Sequence, residues 1–314
     1  MTLLTGDIML KNCITENTKI MTIKVDSLPE LNDDNFDYYN ELAKSMSEEM
    51  GVPKDLLING RKFFFIDRWH KIDGKWYFFK GDGFDFHFIN ELLGEVISEY
   101  FGLDTVHYSV GKLIVGNEEP RIGVVSENFC SPDYKYTRTF DYDLVAGDIR
   151  CLENLINICA SDEEFKLLFA DFKKFIIRDF YTSQGDRSGN NFLFKEKKDG
   201  SEGKRLAELY DYENGYELYP RNFVKNQLVY QSMEKDFLPK YFKRDKEYQE
   251  SLEKIRDANM NVFLTEVEER HGIIIPRDFR DYYNETDKKK KEIVKTNKLV
   301  KVLKPKREKK EIAS

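Results

Sequence analysis

Residues 184–215 read QGDRSGNNFLFKEKKDGSEGKRLAELYDYENG, and this stretch contributes most to the fold prediction. Two strand-like runs, 192–194 and 205–210, flank a turn rich in lysine, glycine and serine, which predicts a strand–turn–strand unit. The polar loop DRSGNN precedes the first strand, and the loop DYENG follows the second. Since a hairpin returns the chain to the end where it began, the two loops should meet there. The side chains expected to converge are those of Asp186, Asn191 and Asp211.

The residue types in these loops suit a site for metal and phosphate. Carboxylate and amide oxygens, few in number and with room left for water, favour Mg²⁺ bound together with phosphate oxygens. In phosphoryl transfer one acidic group orients the nucleophile while metal ligands hold and neutralise the triphosphate. The alternative is that DRSGNN is an ordinary polar turn, because Asp and Asn are common turn formers.

An upstream hairpin supplies a candidate phosphate-binding lysine. The aromatic-rich runs 61–67 and 75–80 are joined by a connection that carries an Asp-Gly turn signal at 73–74. This pattern predicts a β-hairpin whose second strand ends at Lys80. A lone lysine at a strand end is usually a solvated side chain, so its interpretation depends on a partner.

The next segment supplies that partner. Apolar residues at helical spacing predict a helix over 84–101, closed by Gly102. Glu91 on this helix is the expected ion-pair partner of Lys80. Glu95, one turn further along the same face, is the alternative partner.

Two other helices are predicted. Residues 36–50 read as an amphipathic helix stopped by Gly51. Ser161 with Glu164 three residues later forms a capping-box signature, which opens a long helix that should end near 184–185. This helix is apolar over a wide arc, so it is expected to be central and buried.

Taken in chain order, these segments resemble the HipA-like branch of the protein-kinase-like fold, which is distantly similar to the phosphatidylinositol 3- and 4-kinases. The match covers roughly residues 62–215, and the chain length is similar to that of short HipA-like serine/threonine kinases of the CtkA type. The stretches that carry the resemblance are YFFK with Lys80, INELLGEVISEYFGL with Glu91, GDRSGNNFLF with Asp186 and Asn191, and AELYDYENG with Asp211.

The resemblance implies an α+β fold with two lobes and a cleft that binds ATP and Mg²⁺. The small, β-rich N-terminal lobe with one key helix is expected over 1–128. The larger, mainly helical C-terminal lobe is expected over 129–285. A basic, flexible tail is expected over 286–314.

The resemblance also assigns roles to residues. Lys80 would hold the α- and β-phosphates, braced by Glu91. Asp186 would be the catalytic base that accepts the proton of a protein Ser or Thr hydroxyl. Asn191, with Asn190 as the alternative, and Asp211 would bind the metal.

The segment RIGVVSENF stands where the family has its inter-lobe hinge. Backbone contacts with adenine are expected at Ser126, Glu127, Asn128 and Phe129.

The chain departs from the family at two points. Ser188 stands where many relatives have a histidine in the catalytic loop, and LINGR at 57–61 is all that stands in place of a glycine-rich phosphate loop. These departures keep open the hypothesis of a nucleotide-binding pseudokinase that acts as an interaction module. A further alternative is a kinase whose acceptor is a lipid or a small molecule, because nothing in the sequence identifies the substrate.

Composition and charge limit the class of protein. With 40% hydrophobic and 34% charged residues, the chain can form a core, and it contains no apolar run long enough to span a membrane. Four cysteines without a CxxC pair and four histidines predict reduced thiols and no zinc site. The net charge of −7 combines a net +8 over 287–314 with a body near −15.

The partners expected are a protein substrate and an antitoxin or other regulatory protein. The basic tail is interpreted as a solvated end, with contact to nucleic acid, anionic lipid or an acidic partner as the alternative. The N-terminus lacks the pattern of a secretory signal, which favours a cytoplasmic location, and signal-less secretion as an effector stays open.

Overall fold

The computed structural model describes residues 13–28, 35–59, 62–63, 68–81, 85–138, 158–184, 193–212 and 245–296. Helices and strands mix along these ranges, so the fold class is α+β, as predicted. The strands are β1 (Ile20–Val25), β2 (Ile58–Asn59), β3 (Lys62–Phe63), β4 (Trp69–Ile72), β5 (Lys75–Lys80), β6 (Tyr108–Val115), β7 (Arg121–Glu127), β8 (Tyr134–Arg138), β9 (Leu193–Lys197) and β10 (Arg205–Leu206). The helices are α1 (Phe36–Met50), α2 (Lys54–Leu57), α3 (Asp85–Phe101), α4 (Asp162–Thr182), α5 (Lys246–Asp257), α6 (Met260–His271) and α7 (Arg277–Thr296).

A five-stranded sheet carries the lysine strand. Its strand order is β1-β6-β7-β5-β4, in which β1 pairs with β6 in parallel and the other neighbours pair antiparallel. Strand β5 is therefore held between β7 and β4. Pairing of Lys80 with Val124 fixes where β5 ends relative to the sheet.

The hairpin around Lys80 differs from the predicted one in its first strand. The Asp73-Gly74 turn is confirmed, but the strand before it is β4, inside the predicted connection, and not the run 61–67. Asp73 and Gly74 have φ values of 48° and 82°, which makes a two-residue turn with two positive φ angles. Such a turn places Ile72 directly opposite Lys75, so the strand must immediately precede the turn. Within 61–67 the structure describes residues 62–63, which form β3 and pair with β2.

Helix α3 lies at the centre of the main core. Its apolar residues pack with β6, β7, α4 and α6 in one large hydrophobic cluster. Gly102 ends the helix with φ 72°, as the sequence predicts. Because α3 is buried on most sides, a polar residue on it is held in a fixed position.

Helix α4 begins as predicted. The Ser161 hydroxyl accepts a hydrogen bond from the Glu164 N–H at 3.2 Å, and the Glu164 carboxylate accepts from the backbone N–H groups of Ala160 and Lys204. Helix α1 also has the predicted bounds and ends at Gly51, with φ 72°. Both helices begin or end where the local sequence signals place them.

A three-stranded sheet in the order β10-β9-β8 leads the chain towards Asp211. The predicted strand over 205–210 is shorter, because β10 ends at Leu206 and the chain then bonds to the loop after α3. Leu209 forms a parallel bridge with Thr105, and its carbonyl accepts from the Val106 N–H at 2.9 Å. This connection carries the chain from the small sheet to the end of α3.

The last helix differs from the predicted tail. Helix α7 extends to Thr296, so the first part of the range 286–314 is helical and packed. Asp287, Lys290 and Val294 are buried, because this helix lies against α5 and α6. Residues 297–314 lie outside the described residues, and no helix in the described part of the chain is long and apolar enough to cross a membrane.

Candidate active site

The Lys80 amine and the Glu91 carboxylate form the predicted ion pair. Lys80 Nζ lies 2.7 Å from Glu91 Oε1, and the Glu91 side chain is 1% exposed. The sheet allows this approach because Gly123 lies beside the end of β5. A Cβ at Gly123 would lie 2.1 Å from the Lys80 carbonyl oxygen. A charged pair this deeply buried requires close partners, since isolated charges are strongly disfavoured in a protein interior.

Asp211 joins this pair. Its Oδ1 contacts Lys80 Nζ, so one amine lies between two carboxylates that come from distant parts of the chain. Asp211 has φ 61°, in the left-handed region that Asp adopts more readily than most residues. Its N–H donates to Tyr108 Oη at 3.3 Å, and its carbonyl accepts from Gln184 Nε2 at 3.1 Å. The backbone at Asp211 is thus held on both sides.

Glu95, the alternative partner of Lys80, is bonded elsewhere. Its carboxylate accepts from the Tyr108 N–H at 2.8 Å and lies 3.0 Å from His107 Nδ1 and 3.3 Å from Arg270 Nη1. Burial raises the pKa of Glu95 above its ordinary value. The side chains of Glu95, Glu99 and His107 lie close enough to share a metal ion, but the Arg270 guanidinium bonds both carboxylates. The cluster is therefore an ion-pair network that joins α3 to α6.

The predicted hinge residues lie at the end of β7. Ser126 and Glu127 pair with Phe78 and Tyr77 of β5. The Asn128 N–H donates to the Trp76 carbonyl at 2.8 Å, so the hydrogen bonding of the sheet continues into the predicted hinge, 126–129.

The Asn128 side chain bonds the predicted hinge to the end of helix α1. Its Nδ2 donates to the carbonyls of Met50 and Cys130 at 2.9 and 3.0 Å, and its Oδ1 accepts from the Cys130 N–H at 3.1 Å. The Phe129 ring lies 5.7 Å from the Tyr210 ring, which immediately precedes Asp211. The predicted hinge and the predicted metal ligand, Asp211, are thus connected through two adjacent aromatic rings.

A cavity of about 700 Å³ also borders the hinge. Its lining comes from Glu127, Asn128, Phe129, Glu208 and the loop around 103–107. Lys80, Glu91 and Asp211 do not line it, so it is distinct from the ion-pair cluster.

Two predicted site residues, Asp186 and Asn191, lie outside the described residues, as do Asn190 and Ser188. Their predicted roles stay predictions. The described helix α4 leads towards this loop, and Gln184, two residues before Asp186, bonds the Asp211 carbonyl. The segment that follows α4 and leads into the predicted catalytic loop is therefore bonded to the backbone of the predicted metal ligand.

The side chains beneath Asp211 were not predicted from the sequence. Tyr212 is 1% exposed, and Arg178 is fully buried with its guanidinium carbon 4.2 Å from the centre of the Tyr212 ring. The signal available in the sequence was an arginine on the apolar face of α4, in the run FIIRDF. An arginine at a buried helical position requires hydrogen-bond and ion-pair partners, so its place in this run indicates that it bonds to other parts of the chain.

The residue types of the described cluster suit the binding of phosphate and metal. The Lys80 amine is a compact cation that can bind phosphate oxygens, and Glu91 fixes its position. The Asp211 carboxylate, 21% exposed, offers hard oxygen ligands of the kind that Mg²⁺ binds. The donor set therefore fits a metal ion with phosphate groups.

The fold is similar to that of a solved kinase. The crystal structure of the Helicobacter pylori proinflammatory kinase CtkA matches with a TM-score of 0.54 and 13% identity, over 78% of this chain and 96% of that chain. HipA of Shewanella oneidensis MR-1, from a toxin–antitoxin complex with HipB and operator DNA, matches with a TM-score of 0.48 and 14% identity, over 81% of this chain and 70% of that chain.

No protein-family model matches the chain, and no curated protein matches its sequence. The likeness to CtkA shows the fold. The chain has an α+β, protein-kinase-like fold similar to that of this kinase, as predicted from the sequence.

Proposed function

We propose that this protein is an ATP- and Mg²⁺-dependent kinase that transfers phosphate to a Ser or Thr hydroxyl of a protein, itself included. The observation that carries the proposal is the Lys80 amine, bonded both to the buried Glu91 and to Asp211, in a chain with a kinase fold. The kinase fold uses a lysine–glutamate pair and a metal-binding aspartate for phosphoryl transfer.

In this proposal each residue has one task. Lys80 binds the α- and β-phosphates, and Glu91 keeps its amine in place. Asp211 and Asn191 hold Mg²⁺, which supplies charge neutralisation when it is bound. Asp186 accepts the proton of the acceptor hydroxyl. The backbone of the hinge, 126–129, contacts adenine.

Two substitutions test the metal ligand and the base. Asp211→Ala and Asp186→Asn should each lower the transfer of radiolabelled phosphate from ATP, to the chain itself and to a mixed Ser/Thr peptide library, by at least about a hundredfold. Circular dichroism checks that each variant is folded. Asp133→Asn, at an exposed turn, is the matched control and should transfer at the wild-type rate. Wild-type transfer by both Asp186→Asn and Asp211→Ala would end the proposal.

A pseudokinase is the second candidate, and one feature of the cluster favours it. The carboxylate of Asp211 already has a cation as partner, and a metal ion would compete with Lys80 for it. LINGR at 57–61 offers a single glycine for phosphate contact. Calorimetry separates the two candidates: ATP binding that Mg²⁺ does not strengthen, together with no transfer, identifies the pseudokinase.

The acceptor and the partners belong to the same proposal. A lipid headgroup or a small molecule as acceptor would show as transfer to those molecules and not to the peptide library. The resemblance of the sequence motifs suggests a regulatory protein of the antitoxin type, which would copurify with the chain and inhibit transfer. The proposed location is the cytoplasm, where ATP and Mg²⁺ are available, and cell fractionation tests it.

A further inference from the structure

Below Asp211 the chain buries a group of polar residues that the proposed function does not use. Tyr212 follows Asp211 directly, and its N–H donates to Glu91 Oε2 at 3.0 Å. Glu91 therefore bonds Lys80 with one oxygen and the Tyr212 backbone with the other. Any shift of Tyr212 would change the position of Asp211 relative to the Lys80–Glu91 pair.

The Tyr212 side chain is held from three directions. Its hydroxyl lies 2.6 Å from Thr105 Oγ1 and accepts from the Ser98 hydroxyl at 3.2 Å. Its ring packs on helix α3 at Gly94, where an added Cβ would lie 2.3 Å from the ring carbon Cγ. On the remaining side the Arg178 guanidinium lies against the ring face, at 4.2 Å.

Arg178 is the residue that joins these parts. Its side chain is 0% exposed, and Nη1 donates to Asp179 Oδ1 at 2.7 Å. Nε donates to Ser98 Oγ at 3.0 Å, and Nη2 donates to the Gly94 carbonyl at 3.2 Å. A single buried cation thus bonds helix α4 to helix α3, and its guanidinium carbon lies over the Tyr212 ring.

A buried arginine is costly, and an apolar side chain of similar size often serves stability as well or better. Its planar, five-donor geometry gives what an apolar residue cannot: a fixed orientation against both an aromatic face and a helix carbonyl. The position of Arg178 between the two helices and Tyr212 therefore suits alignment of the site more than it suits packing.

We propose that Arg178 is a positioning residue that, through the Tyr212 ring, sets Asp211 against Lys80 and Glu91. The inference rests on the proposed function for its catalytic meaning, because it assigns to Arg178 the alignment of the proposed metal ligand. It predicts that loss of the guanidinium loosens Asp211 while the two helices stay packed.

Arg178→Lys tests this, since it keeps the charge beside Asp179 and removes the planar group that covers the ring. In phosphate transfer we expect the Mg²⁺ concentration for half-maximal rate to rise about tenfold, while ATP binding in the absence of metal changes less than about twofold. Arg256→Lys, on the outer side of α5, is the matched control with wild-type values. An unchanged Mg²⁺ dependence in Arg178→Lys overturns the inference.

Hydrogen–deuterium exchange gives a readout that does not need activity. In Arg178→Lys, exchange should accelerate about tenfold in the peptide 205–212, which contains the Tyr212 N–H, and should be unchanged in α5 and α6. Faster exchange over the whole chain would show a merely structural role and overturn the inference. A wild type that transfers no phosphate would refute the proposed function, and the exchange pattern would still decide the role of Arg178.

A second variant covers the case in which Arg178→Lys does not fold. Tyr212→Leu leaves the Arg178–Asp179 pair intact and removes the ring that the guanidinium covers. It should show the same rise in the Mg²⁺ requirement and the same local exchange. Wild-type behaviour of Tyr212→Leu in both measurements would overturn the inference as clearly.

Discussion

At the scale of single residues, the Lys80 amine is where two distant parts of the chain meet. Glu91 comes from helix α3, and Asp211 lies 131 residues after Lys80 in sequence. Two carboxylates share one amine, so one formal negative charge stays uncompensated within these three side chains. A divalent cation at Asp211 would offset this charge and would leave the Lys80 amine free to bond phosphate oxygens.

Substitutions of Glu91 and of Glu95 should differ in their effect on nucleotide binding. Glu91→Gln removes the charge that holds the Lys80 amine, and we expect the dissociation constant for Mg²⁺–ATP, measured by calorimetry, to rise about tenfold. Glu95→Gln changes the network with His107 and Arg270 and should leave this constant within about twofold of wild type. A larger loss in Glu95→Gln than in Glu91→Gln would contradict the observed pairing.

His271 makes stability depend on pH. Burial lowers its pKa to about 4, and its Nε2 has no hydrogen-bond partner among the described residues. Between pH 6.5 and 4 the unfolded chain binds a proton at this histidine that the folded chain does not, so stability falls as the pH falls. We expect the wild type to lose about 2 kcal/mol of unfolding free energy relative to His271→Gln between pH 7.5 and pH 5.

Urea denaturation of both proteins at several pH values measures this difference. Other titrating groups largely cancel, because they are common to the two proteins. Parallel curves of unfolding free energy against pH would show that His271 titrates normally in the folded chain.

Which of these residues the sequence could predict depends on how local their determinants are. Lys80 and Glu91 were predictable because a strand end and a helix turn place them, and their contact is confirmed. Asp211 was predicted to converge with Asp186 and Asn191. Its bond to Lys80 was not predicted, because that bond depends on the course of the chain after β10. The contact of Arg178 with Tyr212 joins two parts of the chain that no local pattern relates.

At the scale of secondary-structure elements, helix α3 positions the residues of the candidate site. It carries Glu91 on one turn and Gly94 on the next, so it contacts both the lysine strand and the segment after Asp211. The extent of this helix could be predicted from the spacing of its apolar residues, and its end could be predicted from Gly102. The bounds of the strands were harder to predict. The run 61–67 is more aromatic, but the two-residue turn at 73–74 requires the strand directly before it, β4, to pair with β5.

Gly94→Ala tests this arrangement at the level of the helix. Glycine to alanine inside a helix normally stabilises by about 1 kcal/mol. Here the new methyl group would overlap the Tyr212 ring, so we expect a destabilisation of about 1–3 kcal/mol in urea denaturation, together with weaker binding of Mg²⁺–ATP. Thr265→Ala, on an exposed turn of α6, is the control and should be neutral or slightly stabilising. Stabilisation of Gly94→Ala equal to that of the control would show that the ring does not pack there.

At the scale of the whole molecule, the basic C-terminal region divides into two parts with different physical roles. Charge alone could not predict this division, because the lysine-rich run 288–291 looks like the tail that follows it. Packing separates them: Tyr181 Oη donates to Asp287 at 2.7 Å, and Lys290 Nζ lies 4.5 Å from the centre of the Phe180 ring. These contacts join α7 to α4, the helix that carries Arg178.

Two truncations test whether α7 belongs to the folded unit. Removing 297–314 should shift the melting temperature by less than about 3 °C, because it leaves α7 intact. Removing 287–314 also deletes the buried Val294 and leaves the Tyr181 hydroxyl without its acceptor. The lost burial and the unsatisfied hydroxyl together cost several kcal/mol, so we expect the melting temperature to fall by roughly 10 °C.

Thermal denaturation followed by circular dichroism measures both truncated proteins, and equal melting temperatures would show that α7 contributes nothing to the fold. Since α7 braces α4 at Phe180 and Tyr181, the longer truncation should also raise the Mg²⁺ requirement of phosphate transfer, whereas the shorter one should not.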